Sequence, residues 1–358
     1  MCQNIINLLN NKIMLFGILQ NEFDENYKNW ILACKKFNQE YQLIDLTKNN
    51  WLDFIKATKF DAFLSCPSGR ESLFKKLYDE RIYIVNKVMK KFVYPDYNEI
   101  SIHENKKYFS YWLKANDIPH PKTDVFYYRK EAMEFIENCT LPIVAKINIG
   151  ASGKGVQIFR DIEAAKSYID QAFSNGIRQN WGPNMQMGGY GSRLLKLIKN
   201  PRKITKRITV YKKLYNEIQK GFVIFQEYVP HNYEWRIVKI GDSFFGHQKV
   251  KQGDKASGTK GIDYVLPPNY ILDFVNILCF QNKFNSMSID LFEDGKGGVL
   301  VNEMQTIFGH VQDYICEKNG IPGRILLHNK EWVFDPGNFN TNLSYDLRLE
   351  HALSLLKK

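Results

Sequence analysis

The sequence predicts an α/β protein with a helix-wrapped parallel sheet in its N-terminal part and a longer region of mixed sheet and helix after it. Three observations carry this. Between Lys12 and Asn86, short apolar runs of strand length alternate with helical patterns, the sign of a parallel sheet with crossover helices. Beyond Asp117, strand and helix alternate again, but in pairs joined by glycine-bearing turns, which indicates hairpins. The chain has 358 residues and is 44% apolar, with 24 Phe, 20 Tyr and 6 Trp, so it can fill the cores of about two domains.

In the first region the expected strands are KIMLFGIL, YQLIDL, FDAFLSC and RIYIVN, and the expected helices are ENYKNWILACKKF, NWLDFIKA and ESLFKKLYDE. No G-x-G-x-x-G follows the first strand, so the sheet lacks the dinucleotide fingerprint. Residues 99–117 carry Ile102, Phe109, Trp112 and Leu113 at helical spacing, and the prolines of IPHPKT stop that helix. Strand DVFYY, helix EAMEFIEN, strand LPIVAKIN, a glycine loop, strand VQIFR and helix DIEAAKSYIDQAF follow. Residues 176–191 read as a glycine-rich loop. Pro201 then opens an amphipathic basic helix whose stripe is Ile204, Ile208, Tyr211, Tyr215 and Ile218, closed by Gly221. Strands GFVIFQEYVP, YEWRIVKIG and DSFFGHQKVKQ come next, the last two joined at Gly241-Asp242. Helix NYILDFVNILCFQNKF, a strand pair around Glu293-Asp294-Gly295 and a terminal helix in LSYDLRLEHALSLLKK complete the order.

Charge is concentrated in one place. Lys plus Arg is 49 against 38 Asp plus Glu, a formal +11. Eleven basic residues against Glu217 alone put +10 of that between Arg178 and Lys220, so the rest of the chain is about neutral. A solvated helix face is the commonest meaning of such a run, attraction of an anionic substrate is next, and binding of nucleic acid or an anionic surface through 178–220 ranks third. No apolar run reaches the roughly 18 residues of a membrane span. The first residues lack a basic leader and Lys12 splits their apolar stretch, so a cytoplasmic protein is expected. The six cysteines are scattered without C-x-x-C or zinc spacing, which suits reduced thiols. The chain is compatible with a homodimer.

Three constellations could carry chemistry. In LPIVAKINIGASGKGVQIF a strand ends in Lys146 and a glycine loop joins it to the next strand. Glycines let backbone N–H groups turn to an anion and the lysine adds a point charge, although a tight hairpin alone would also use them. Glu303 and Gln305, two apart on a strand, project together, and the hairpin through Gly295 can bring Asp290 across from them. These three oxygen donors would suit Mg2+, and a solvated acidic hairpin is the competing account. Gln226-Glu227-Tyr228-Val229 is an apolar strand leading to backbone able to bond an adenine edge, followed by Glu234 for ribose hydroxyls and Arg236 for phosphate or carboxylate. A surface ion pair at Glu234 is the alternative.

Taken in this order, the motifs resemble the ATP-grasp superfamily, the group of D-alanine:D-alanine ligase, glutathione synthetase and biotin carboxylase. The resemblance spans roughly residues 100–315. It implies a Rossmann-like pre-grasp domain over 1–98, a two-lobed ATP-grasp domain over 99–315 with a basic helical insertion at about 176–220, and a C-terminal segment, 316–358, ending in a helix. NKKYFSYWLKANDIPHPKT resembles the entry helix and places Lys106 as the first phosphate-contacting lysine. PIVAKINIGASGKGV resembles the segment of the second lysine, Lys146, and its loop Gly150, Ser152, Gly153, Lys154 and Gly155. FQEYVP resembles the adenine hinge, with Gln226, Glu227 and Val229. YEWRIVKIGDSFFGHQKV resembles the ribose and phosphate strand pair, with Glu234, Arg236 and Lys249. SIDLFEDGKGGVLVNEMQT resembles the metal hairpin, with Asp290, Glu303 and Gln305. Gln305 stands where the family has Asn and keeps the amide oxygen with one methylene more reach, so Asn is expected to serve there as well.

The resemblance implies ATP, one or two Mg2+ ions replaceable by Mn2+, and small-molecule carboxylate and amine substrates. The acid would be activated as an acyl phosphate, with Arg236 and Lys249 as catalytic cations, and joined to the amine with release of ADP. Amino acids, peptides and surface-polysaccharide sugar acids are open as substrates, and a phosphoryl transferase that stops at phosphorylation is the alternative. The +10 insertion implies that one substrate is anionic. Neutralising Lys203, Lys206 and Arg207 is expected to raise the KM of that substrate and flatten its salt dependence while ATP's KM moves much less. Steady-state kinetics at low and high salt check this, since exposed charges are screened over about 8 Å at physiological ionic strength. Equal effects on both substrates would return the helix to a solvated face.

Overall fold

The computed structural model describes residues 12–22, 27–69, 71–150, 155–178, 217–253, 255–256, 261–306 and 316–357. Two compact units divide the chain, one of residues 1–68, 73–120 and 229–358, the other of 69–72 and 121–228.

The first unit opens with four strands, β1 (Leu15–Gln20), β2 (Glu40–Asp45), β3 (Ala62–Ser65) and β4 (Val93–Tyr94), all parallel in the order β2-β1-β3-β4. Helices α1 (Lys28–Lys36), α2 (Trp51–Ala57) and α3 (Ser72–Tyr83) connect them. Alternation along β1 serves both faces: Phe16 and Ile18 pack with Trp30 and Ala33, while Leu19 packs with Ile44, Ile55 and Phe63. Gly17 is required by this packing, since a Cβ there would lie 2.6 Å from the Phe63 ring. One expected strand is helix instead. RIYIVN continues α3 into a π-helical turn, Ile84–Val88, because Tyr78, Ile82 and Val85 form a buried stripe at i, i+4 and i+7. The fourth strand is β4.

The expected helix over 99–117 is two helices, α4 (Tyr97–Ile102) and α5 (Lys106–Ala115). Asp96 and Glu99 form a capping box that starts α4. Asn105 restarts the chain as α5 by accepting from the Tyr108 N–H. Glu104, between them, has φ of 50°.

The second unit holds β5 (Thr123–Phe126), α6 (Arg129–Asn138), β6 (Ile143–Lys146), β7 (Val156–Phe159), α7 (Ile162–Phe173), β8 (Ile177–Arg178), β9 (Ile218–Gln219) and β10 (Val223–Glu227). Its sheet runs β5-β10-β6-β7, antiparallel throughout, and Ile143, Ala145, Val223 and Phe225 pack on Ala132 and Ile136 of α6 and Ile169 of α7. Ile177–Arg178 and Ile218–Gln219 pair as short strands, so Ile218 ends no helix and Arg178 opens no loop. Each satisfies the other's backbone there. The basic stretch between them, 179–216, lies outside the described residues, as do Ser152, Gly153 and Lys154.

The first unit resumes with β11 (Tyr233–Ile240), β12 (Ser243–Gln252), β13 (Lys255–Ala256), β14 (Ile262–Asp263), α8 (Asn269–Gln281), β15 (Ser286–Glu293), β16 (Val299–Gln305), β17 (Glu317–Lys318), β18 (Ile321–His328), β19 (Glu331–Pro336) and α9 (Tyr345–Leu356). They form an antiparallel sheet, β16-β15-β11-β12-β18-β17, with β13 and β14 on β12 and β19 on β18. One face of it packs Trp235, Ile237, Met287, Ile289 and Leu291 on α8 and on Phe109 and Leu113 of α5. The β18–β19 hairpin turns at Asn329 and Lys330, both with positive φ, as a two-residue turn requires. It was not foreseen.

No helix among the described residues is long and apolar enough to cross a membrane. The described cysteines are free thiols, and burial pushes Cys34 and Cys279 up to about 12, where they are protonated and inert. Cys2 lies outside the described residues.

Helix α9 belongs to the core of the first sheet, where Leu349 and Ala352 meet Phe16, Ile18 and Trp30. Leu349 is fully buried. Leu349→Ala is therefore expected to cost about 2–5 kcal/mol of unfolding free energy, read from urea denaturation.

Candidate functional site

The face of the large sheet opposite α8 carries charge. Register alone places Glu303 of β16 across from Asp290 of β15, Asp290 across from Arg236 of β11, and Glu234 across from Lys249 of β12. A bulge makes this possible. Asp290 pairs with Glu303 but Leu291 pairs with Val301, so Asn302 is an extra residue in β16. Val301 and Met304 both reach the core, while Glu303 and Gln305 share the charged face. Without the extra residue Val301 and Glu303 would point the same way.

Asp290, 2% exposed, is the hub of this face. Its Oδ1 accepts from Arg236 Nε at 2.7 Å, and its Oδ2 from Arg236 Nη2 at 2.8 Å and Lys249 Nζ at 2.8 Å. Lys249 Nζ also donates to Glu234 Oε2 at 2.7 Å. Burial works against the charged carboxylate, but the Arg236 and Lys249 charges outweigh it and hold Asp290 well below the usual carboxylate range. Burial likewise opposes the charge on Arg236 and on Lys249, and Asp290 more than offsets it, so both stay protonated.

A second cluster comes from the break between α4 and α5. Glu104 is buried there, with Oε2 3.2 Å from Lys106 Nζ and Oε1 accepting from Gln305 Nε2 at 3.0 Å. Burial first, and the Glu303 charge with it, push Glu104 up to about 7 against the pull of Lys106. Burial lowers and the Glu104 and Glu303 charges raise Lys106, with a net rise. Glu104 was missed in the sequence. The available signal was a carboxylate two residues before Lys106 at a helix N-cap.

The residues of this face differ in their fitness as donors to a hard cation. Asp290 has both oxygens engaged by Arg236 and Lys249. Glu303 is half-buried and, among the described residues, meets its neighbours through charge and not through hydrogen bonds. Gln305 turns its Nε2 to Glu104, which leaves its carbonyl oxygen as an acceptor. Glu303 and Gln305 fit Mg2+, which takes few protein oxygens and keeps positions for water and phosphate. Asp290 fits only by sharing an oxygen with its two cations. No cluster of three His, Cys, Asp or Glu able to hold a metal forms among the described residues.

In the second unit, Lys146 ends β6 and Gly150 follows with φ of 151°. Gly155 returns the loop, its carbonyl accepting from the Ile147 N–H at 2.9 Å, and a Cβ there would lie 2.8 Å from that of Ile147, so the close hairpin itself demands the glycine. Gln226 points inward, donating to Thr123 Oγ1 at 2.9 Å. Glu227 secures the end of β10 twice, its N–H on the Lys122 carbonyl at 2.9 Å and its carboxylate on the Lys122 N–H at 2.8 Å. Val229, where the chain re-enters the first unit, has its carbonyl taken by His231 Nδ1 at 2.7 Å.

Removing the hub charge strands two buried cations. Asp290→Asn is expected to cost about 3–5 kcal/mol near neutral pH. A carboxyl held below its unfolded range contributes stability that is present above about pH 4 and lost as pH falls further. The gap between wild type and Asp290→Asn should therefore narrow from pH 6 to pH 3 in urea titrations, and a constant gap would mean that the pair contributes no linkage.

No model of a known protein family matches the sequence. Solved structures do resemble the fold. N5-carboxyaminoimidazole synthetase from Staphylococcus aureus, complexed with ADP, is 11% identical with a TM-score of 0.54 over 96% of this chain and 78% of that one. The D-cycloserine synthetase DcsG is 11% identical with a TM-score of 0.53 over 96% of this chain and 99% of that one. N5-carboxyaminoimidazole ribonucleotide synthetase from Thermotoga maritima is 13% identical with a TM-score of 0.52 over 95% of this chain and 75% of that one. Identities this low speak to fold alone, which this chain shares with these synthetases.

Proposed function

We propose that the protein is an ATP- and Mg2+-dependent ligase that activates a substrate carboxylate and joins it to an amine, with release of ADP and phosphate. The observation that carries this reading is the charged sheet face. Arg236 and Lys249 are fixed by Asp290 and Glu234 with N–H groups to spare, and beside them stand Glu303 and the Gln305 carbonyl as uncommitted oxygen donors. Buried cations held in place cost no reorganisation when phosphoryl charge develops, which is how a positioned site stabilises phosphoryl transfer. The fold shared with synthetases that carry ADP supports the nucleotide.

In this reaction a carboxylate oxygen of the acid attacks the γ-phosphorus and ADP leaves. The amine nitrogen then attacks the acyl carbon, phosphate leaves and the nitrogen loses a proton. Arg236, Lys249 and Lys106 of the first unit hold the phosphate oxygens, and the backbone at Val229 of the same unit meets the adenine. The second unit carries an anion-contacting group of its own in Lys146. Glu303 and Gln305, with Asp290 sharing an oxygen, would hold Mg2+, which neutralises phosphate charge when bound. The acid and the amine are small molecules, and the basic residues of 178–220 favour an anionic one.

Incubation with MgATP and pooled carboxylates and amines should release ADP and phosphate only when a matching pair is present. ADP release with the acid alone, leaving a stable phosphorylated product, would identify a phosphoryl transferase instead. Glu303→Gln should lower turnover on the order of 100-fold or more with an unchanged circular dichroism spectrum. Millimolar MgATP should raise the melting temperature, since a ligand at about 100 times its Kd adds about 2.7 kcal/mol. Unchanged turnover in the Glu303 variant would make the hairpin structural.

A further inference from the structure

Glu104 is a buried carboxylate that no step above requires. It is 6% exposed, sits in the three-residue break between α4 and α5, and has φ of 50°, a conformation uncommon outside glycine and costing on the order of 1 kcal/mol. The chain is held there on both sides, by the end of α4 at Ile102 and by the Asn105 cap on Tyr108. The two oxygens reach different partners, Oε1 to Gln305 Nε2 at 3.0 Å and Oε2 to Lys106 Nζ at 3.2 Å. A local helix break thus places one carboxylate against both an edge-strand amide and the lysine at the start of α5.

We propose that Glu104 is the positioning residue of the metal hairpin: it orients the Gln305 amide so that its carbonyl oxygen is presented to the cation, and it holds Lys106 with its other oxygen. This rests on the reading of Glu303 and Gln305 as metal donors. Lys106 Nζ occupies Oε2, and Oε1 accepts from the Gln305 NH2 group; the reverse amide orientation would set two oxygens against each other. The donor atom of Gln305 is thereby assigned by its neighbour. The same contact accounts for the length of the side chain. An Asn at 305 would draw the amide back by one carbon–carbon bond, about 1.5 Å, and from 3.0 Å the hydrogen bond to Glu104 would be lost. The proposal runs opposite to the expectation from sequence that Asn would serve there as well. Partners of this kind, which orient a ligand without touching the metal, typically change affinity about 10- to 100-fold when removed.

The test is Mn2+ titration of the full-length protein in the presence of ADP, followed by the electron paramagnetic resonance signal of free Mn2+. Wild type, Glu104→Gln, Gln305→Asn and the double variant are compared. Each single change should weaken Mn2+ binding about 10-fold or more. The double should be no weaker than the worse single, because both remove one interaction. In steady-state assays Glu104→Gln should raise the Mg2+ concentration for half-maximal rate by a larger factor than it lowers kcat, a split that a merely structural role would not produce. Wild-type Mn2+ affinity in Glu104→Gln, or additive losses in the double, would overturn the proposal while leaving the metal reading intact. Should Glu104→Gln fail to fold, Gln305→Asn decides alone, and undiminished affinity in it would overturn the proposal. Absence of Mn2+ binding by the wild type would overturn the metal reading and this inference with it.

Discussion

Everything on the charged sheet face depends on the compensation of Asp290. A carboxylate 2% exposed in the middle of a sheet is tolerable only if cations meet it, and Arg236 and Lys249 do so from two successive strands. Three strands are thereby locked in register, since a slip of one residue would turn the charges into the α8 core and the core residues out to solvent. The same pairing fixes where the two cations present their remaining N–H groups. Stability of the sheet and geometry of the site are one constraint.

The bulge at Asn302 is the local device that reconciles that constraint with the core. Alternation in β16 cannot place Val301, Met304, Glu303 and Gln305 correctly at once, because Val301 and Met304 are three apart. One extra residue resets the parity. Glu303 and Gln305 both lie on the same side of the bulge, which is why the sequence argument that they project together could be made without knowing of it. The opposition of Asp290 to Glu303 was legible from the turn at Gly295. The commitment of Asp290 to Arg236 was not, since that pairing joins strands 54 residues apart.

The parts of the fold that were legible are those with strong local periodicity. Strands at β1, β2 and β3 and the hairpins at Gly241 and Gly295 follow from apolar runs bounded by turn residues. RIYIVN misled because a β-branched run beside a helix has the composition of a strand, and only its phase with Tyr78 shows the helical stripe. The split at Glu104 escaped because apolar residues on both sides keep nearly one helical phase while Asn105 resets the backbone. The docking of α9 on the first sheet is a contact between chain ends, beyond the reach of any local pattern.

Charge balance argues for the role of a cation on this face. Lys106, Arg236 and Lys249 stand here among Glu104, Glu234, Asp290 and Glu303, three cations among four carboxylates. A face this close to neutral has no surplus positive charge for a polyphosphate. Fixed cations already paired within hydrogen-bond distance attract a further anion only through what their partners leave uncompensated. The Glu303 carboxylate, outside those hydrogen bonds, would repel phosphate oxygens on its own and attract them once a divalent ion lay between. Under the proposed function, the arrangement suits a nucleotide bound together with its metal and poorly suits the nucleotide alone.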